Sequence, residues 1–178
     1  MEGSRSFASV VRLALPTGRR YSGWVNASHT TNKAAGRDFL VIGYGNTLRG
    51  DDGVGPRVAE AIEKLNLPGV RTLVCQQLSP EYADPVSRAH TVIFVDAAVD
   101  APREVQLRKL EPGETSQLMA HAADPRTMLA LARDVFGHAP QAWWLTIPAV
   151  KMDFSETLTP EAQRGFAEAV EKIQELCR

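Results

Sequence analysis

At 178 residues, 44% of them hydrophobic and 23% charged, the chain is long enough to bury one substantial core and has the composition of a soluble globular domain. Twenty Lys and Arg against 21 Asp and Glu leave a net charge of −1, which gives no electrostatic reason to expect nucleic acid or an acidic membrane as partner. No apolar run approaches the ~20 residues that span a bilayer, and Cys75 and Cys177, far apart and without a Cys-x-x-Cys neighbour, fit a reducing cytoplasm rather than a zinc or redox motif.

The first 37 residues hold one acid, Glu2, against Arg5, Arg12, Arg19, Arg20, Lys33 and Arg37, among many Ser, Thr, Ala and Gly. That composition predicts a poorly ordered extension over 1–37 and one folded domain over 38–178. Arg12 interrupts the apolar run Phe7 to Leu15 and no small-residue cleavage site follows, which argues against a secretory signal. A transit peptide and an over-extended start of translation fit the segment equally.

Phe39 to Ile42 reads as a buried strand. It feeds a turn rich in glycine (Gly43, Gly45, Gly50, with Asn46), and two adjacent carboxylates, Asp51 and Asp52, stand just beyond. Gly53, Gly55 and Pro56 then open a helix whose apolar face is Val54, Val58, Ile62 and Leu65, ended by Pro68-Gly69. A nucleotide-binding turn fits poorly. The third glycine comes two places late, no acid ends the next strand, and no Lys is followed by Ser or Thr.

Val70 to Cys75 is the second strand. Ser79-Pro80-Glu81 starts a short helix, with Ser79 as its cap, which Asp84-Pro85 bends or restarts. Thr91 to Val95 is an unbroken β-branched and aromatic run suited to a central strand, and it ends on Asp96. A carboxylate directly after a dry core either caps a turn or serves a site at the strand's end.

Glu104 to Leu110 alternates as a half-exposed edge strand. Asp124-Pro125 then caps a helix through Met128, Leu131, Ala132 and Val135 to Gly137, placing His121 just ahead of a helix N-terminus. Ala142 to Ile147 is the last strand, its two tryptophans read as packing. Thr159-Pro160-Glu161 opens a final helix with Phe166, Val170, Ile173 and Leu176 on one face.

Strands alternating with helices predict an α/β three-layer sandwich: a mostly parallel twisted sheet of about five strands with helices on both faces. Such sheets bind ligands beyond the strands' carboxyl ends. Asp52, Asp96 and His121 all fall at that edge, and two carboxylates with one imidazole suit a divalent first-row metal such as nickel or zinc, with coordination positions left open.

The run Gly43-Tyr-Gly45-Asn46-Thr-Leu48-Arg-Gly-Asp51-Asp52-Gly53-Val-Gly55, then Val92-Ile-Phe-Val-Asp96-Ala97, His121 with Asp124-Pro125, and Asp153-Phe154-Ser-Glu-Thr-Leu158-Thr159-Pro160, resembles the hydrogenase maturation endopeptidases, in that family's order and over about residues 38 to 177. The resemblance implies removal of a C-terminal peptide from the nickel-loaded large-subunit precursor of a nickel–iron hydrogenase. The metal contacts it implies are Asp52, Asp96 and His121, which are also the catalytic candidates. The nickel belongs to the precursor, and no organic cofactor is expected. The expected working form is a cytoplasmic monomer, with no nucleic acid or membrane partner. Hydrolysis is expected either through a metal-polarised carbonyl or water, or with a carboxylate as general base. Asp51 is assigned to tying down the glycine loop, and Arg49 to a contact with the precursor's tail or to a solvated turn.

Two alternatives remain at this level: a non-proteolytic nickel-site sensor or assembly factor of the same fold, and a nucleotide-binding α/β domain. The chain departs from the family where Cys75-Gln76-Gln77-Leu78 replaces an acidic Gly/Thr-containing segment, and where Ser155 replaces a common glycine.

Overall fold

A computed structural model describes residues 38–99, 102–114 and 124–178. His121 and the extension over 1–37 lie outside the described residues.

Five strands form one sheet: β1 (Phe39–Tyr44), β2 (Val70–Cys75), β3 (Thr91–Ala98), β4 (Gln106–Leu110) and β5 (Gln141–Pro148), in the order β2-β1-β3-β5-β4. All pairings are parallel except β4 against β5, because β4 follows β3 without a crossover helix among the described residues. Helices α1 (Val54–Lys64) and α4 (Pro160–Leu176) cover one face, while α2 (Ala83–Ser87) and α3 (Pro125–Phe136) cover the other. The three-layer α/β sandwich expected from the alternation is the fold observed.

Burial follows position in the sheet. Every residue of β1 is buried, as an inner strand covered on both faces requires, whereas β2 at the edge is mostly half-exposed. Leu40, Ile42, Val92, Phe94 and Ala142 pack under α2 and α3 with Val86, Met128 and Leu129. Val41, Ile93, Val95, Leu145 and Ile147 pack under α1 and α4 with Val58, Ile62, Ala169 and Ile173.

Local signals set most helix ends. Asp124 caps α3 by accepting from the Arg126 amide at 2.8 Å, and Gly137 ends the same helix at φ 78°. Thr159 caps α4 by accepting from the Ala162 amide at 3.3 Å.

Four local expectations are corrected. Helical spacing puts Leu65 on the buried face of α1, but the helix stops at Lys64 and Leu65 turns toward solvent; Ala59 is buried instead. The face of α4 pressed deepest on the sheet is Ala162, Gly165, Ala169 and Ile173, with Phe166, Val170 and Leu176 along its margin. Small residues let that helix approach closely: a Cβ on Gly165 would lie 2.6 Å from the Ile147 Cγ2. Ser79 stands at the expected cap position but its side chain makes no cap hydrogen bond to the 3-10 turn Pro80–Tyr82 that precedes α2. Finally, β3 does not end at Asp96. It continues to Ala98, held by pairing with β5 as far as Pro148.

Candidate functional site

The strand order reverses between β1 and β3. The chain leaves β1 toward β2 on one side, while β3 lies on the other. At such a switch point the two connections diverge and leave a crevice beyond the strand ends. The glycine loop after β1 and Asp96 on β3 border that crevice.

The loop's path depends on glycine in two places. Gly45, at φ 135°, passes so close to the next turn that a Cβ there would lie 2.0 Å from the Asp52 carbonyl oxygen. Gly55, in the first turn of α1, would drive a Cβ to 2.5 Å from the Val95 carbonyl and 2.6 Å from that of Tyr44. The start of α1 is thereby seated directly on the ends of β1 and β3.

Asp51 and Asp52 occupy a 3-10 turn, Gly50–Gly53, and diverge. Asp51 is fully buried. Its Oδ2 accepts from the Val150 and Lys151 amides at 2.9 and 3.0 Å and from the Thr159 hydroxyl at 2.9 Å; its Oδ1 accepts from the Thr159 amide at 2.7 Å. Burial pushes its pKa up, but these hydrogen bonds outweigh burial and hold it below the ordinary aspartate value. Asp51 therefore ties the glycine loop to the β5–α4 connection, reinforced by Gly50 N donating to Ser155 O at 2.7 Å and Ser155 N to Leu48 O at 2.9 Å.

Asp52 is half-buried at the rim. Its Oδ2 accepts from the Asn46 amide at 3.1 Å, which leaves the rest of the carboxylate for other contacts. Arg49 is committed to the loop as well, with its Nε donating to the Met152 carbonyl at 3.3 Å.

Asp96 is half-buried within β3, paired with Thr146 of β5. Burial pushes its carboxyl up to about 6; the Tyr44 hydroxyl and the Ala97 amide hold it down in part, and the charge of Asp52 adds to the rise. Asp52 therefore lies near enough for its charge to act on Asp96. Tyr44 closes β1 and stands one residue beyond the Gly43–Val95 pair, level with Asp96. Burial and then the Asp96 charge push its phenol far above the usual tyrosine range, and the charge of Asp124 acts on it too.

Of the three expected contacts, Asp52 and Asp96 share the rim; His121 precedes the capping residue Asp124 by three positions and lies outside the described residues. Among the described residues, no group of three or more His, Cys, Asp or Glu is arranged to hold a metal ion. A cleft of about 480 Å³, lined by Arg57, Lys64, Glu156 and Phe166 among others, contains neither Asp52 nor Asp96. Tyr44 and Thr146 were not singled out from the sequence. Tyr44 reads as part of the glycine turn and Thr146 as an ordinary strand former, and only the strand register places them beside Asp96.

The sequence matches no protein-family model and no curated protein. Solved structures do match. The NiFe hydrogenase maturation protease HybD from Thermococcus kodakarensis superposes with TM-score 0.60 at 23% identity, over 79% of this chain and 99% of that one. The hydrogenase maturating endopeptidase HybD from E. coli gives 0.63 at 22%, over 78% and 90%. The NiFe hydrogenase maturation protease HycI from Thermococcus kodakarensis gives 0.63 at 21%, over 80% and 94%. The chain has the fold of the hydrogenase maturation proteases.

Proposed function

We propose that this protein is an endopeptidase that removes a C-terminal peptide from the nickel-loaded large-subunit precursor of a nickel–iron hydrogenase. The observation that carries the reading is the position of Asp52 and Asp96, one on each side of the β1/β3 crevice, in a fold shared with proteins bearing that activity in their names.

In this reading the nickel is part of the substrate. Asp52 presents a half-buried carboxylate with one oxygen anchored by Asn46. Asp96 presents a second from a rigid strand. His121 is tethered three residues ahead of Asp124, a span of at most about 10 Å of extended chain. Two carboxylates and an imidazole recognise a divalent first-row ion, so docking depends on the precursor's metal having been loaded. The ion supplies charge beside the scissile carbonyl. A carboxylate oxygen not engaged by the ion can accept a proton from an attacking water. Asp51 takes no part in the chemistry. The protein acts as a monomer in the cytoplasm.

Incubating the purified protein with nickel-loaded precursor, and following the large subunit by intact mass, tests the assignment. Loss of a C-terminal peptide is expected, together with loss of processing in Asp52→Ala, Asp96→Ala and His121→Ala variants whose circular dichroism is unchanged. A precursor that binds but keeps its full mass would show an assembly factor instead.

A further inference from the structure

Strand pairing places one polar side chain from every strand in a single row at the carboxyl end of the sheet: Cys75, Tyr44, Asp96, Thr146 and Gln106. Residues level on adjacent strands share a face, and this row crowns the apolar face covered by α2 and α3. Asp96 sits at its centre with a hydroxyl on either side, Tyr44 from β1 and Thr146 from β5.

Both neighbours are deeply buried, with Tyr44 7% and Thr146 3% exposed. Yet Tyr44 Oη and Thr146 Oγ1 have no hydrogen-bond partner among the described residues, and neither does Nε1 of Trp144, two residues before Thr146 on the same face. Buried polar atoms are rarely left unpaired, and three at neighbouring positions on one face of the sheet call for a physical reason. Tyr44 Oη lies near enough to the Asp96 carboxylate and the Trp144 indole for both to act on the phenol, yet it completes no hydrogen bond of ordinary geometry to either.

The chemistry of the set is complementary. An ionised carboxylate only accepts, the indole N–H only donates, and each hydroxyl does both. The Trp144 N–H can donate to Tyr44 Oη, and the Tyr44 and Thr146 hydroxyls can donate to Asp96. Adjacent strands run about 4.8 Å apart, and register sets Asp96 directly beside Thr146.

Resting on the reading of Asp96 as a contact to the substrate's metal, we propose that Tyr44 and Thr146 are positioning residues for Asp96. Their hydroxyls, unpaired in the resting protein, engage the carboxylate when a divalent ion draws it into place, with Trp144 orienting Tyr44. A carboxylate that meets an ion through one oxygen keeps its aim only if the other oxygen is held. Two flanking donors on rigid strands supply that hold.

The test uses the full-length chain with Tyr44→Phe and Thr146→Val, which remove one hydroxyl each at nearly constant shape, and Thr146→Ser, which keeps it. Processing of nickel-loaded precursor is expected to lose about 10–100-fold in kcat in the first two variants, with little change in KM and with Thr146→Ser near wild type. The melting temperature of Thr146→Val should not fall, since that hydroxyl is unpaired at rest. A second readout needs no precursor. In protein labelled with [4-13C]aspartate, the infrared carboxylate band absent from Asp96→Asn is followed as nickel(II) alone is added. That band should respond differently to nickel in Tyr44→Phe and Thr146→Val than in wild type. Wild-type processing rates in both variants, or an Asp96 band indifferent to both substitutions, would overturn the proposal. If the wild-type protein leaves the precursor unshortened, the endopeptidase reading fails, and the infrared band then decides the positioning role by itself. Should Tyr44→Phe fold poorly, the Thr146→Val and Thr146→Ser pair decides.

Discussion

Asp51 and Asp52 are adjacent and chemically identical, yet one belongs to the frame and the other to the rim. Four hydrogen bonds hold Asp51, three of them from backbone amides. Replacing it with Ala leaves those donors unsatisfied, and the expected loss is about 3 kcal/mol or more of stability in denaturant titration. Its depressed pKa fixes the pH window: the stabilisation is present above the ordinary aspartate value and lost as pH falls below it through the folded value. Asp96 behaves oppositely. Its folded pKa is raised to about 6, so the fold favours the protonated acid and is strained by the charge above that pH. Asp96→Asn should therefore raise stability at pH 7–8 by up to about 3 kcal/mol, and the gain should vanish below about pH 4, where both states bind the proton. Thermal unfolding across that range checks the sign, while processing by the same variant should be lost.

At the scale of elements, the site depends on how closely α1 and the β5–α4 connection are pressed onto the strand ends. Gly55→Ala would set a methyl against two backbone carbonyls, which cannot move without displacing β1 or β3. It is expected to destabilise by about 1–3 kcal/mol or more, as overpacking at rigid contacts does, and to impair processing as α1 shifts. Gly137→Ala meets open space and carries only the strain of a left-handed backbone at φ 78°, about 1–2 kcal/mol, with activity unchanged. Comparing melting temperature and processing in these two variants separates a glycine needed for close approach from one needed for conformation. The connection itself is held at several points: Arg57 donates to the Glu156 carbonyl, Arg49 to that of Met152, and Asp51 grips Val150, Lys151 and Thr159. Ser155, found where the resembled family often has glycine, is accommodated by pairing with Arg49 and by a 3.0 Å contact between its hydroxyl and that of Thr157.

For the whole molecule, the described core begins at Asp38. Its carbonyl accepts from the His90 and Thr91 amides at 3.0 and 3.1 Å, and its carboxylate pairs with Arg71 at 2.9 Å. A chain cut to residues 38–178 is therefore expected to fold and to process precursor at the full-length rate. A cooperative melt together with the mass assay tests this, and aggregation of the shortened chain would show that residues before Asp38 belong to the domain. None of the helices among the described residues is long and apolar enough to cross a membrane. Leu48, Val150 and Phe154 are exposed on the two connections that Asp51 joins.

The sequence by itself determined the layer order and the edge at which the carboxylates lie. Strand-length apolar runs, Pro-containing helix starts and the cap residues Asp124, Gly137 and Thr159 act locally and survive without tertiary context. It also separated Asp51 from Asp52 once the family resemblance was weighed. What the tertiary structure decided is non-local. Only the register of β1, β3 and β5 sets Asp96 between Tyr44 and Thr146, because pairing between strands distant in sequence has no signature in either strand alone. The raised pKa of Asp96 likewise comes from burial and from a neighbour on another loop. The turned-out Leu65 and the small-residue face of α4 depend on how near each helix can come to the sheet, a distance set by packing rather than by helical period.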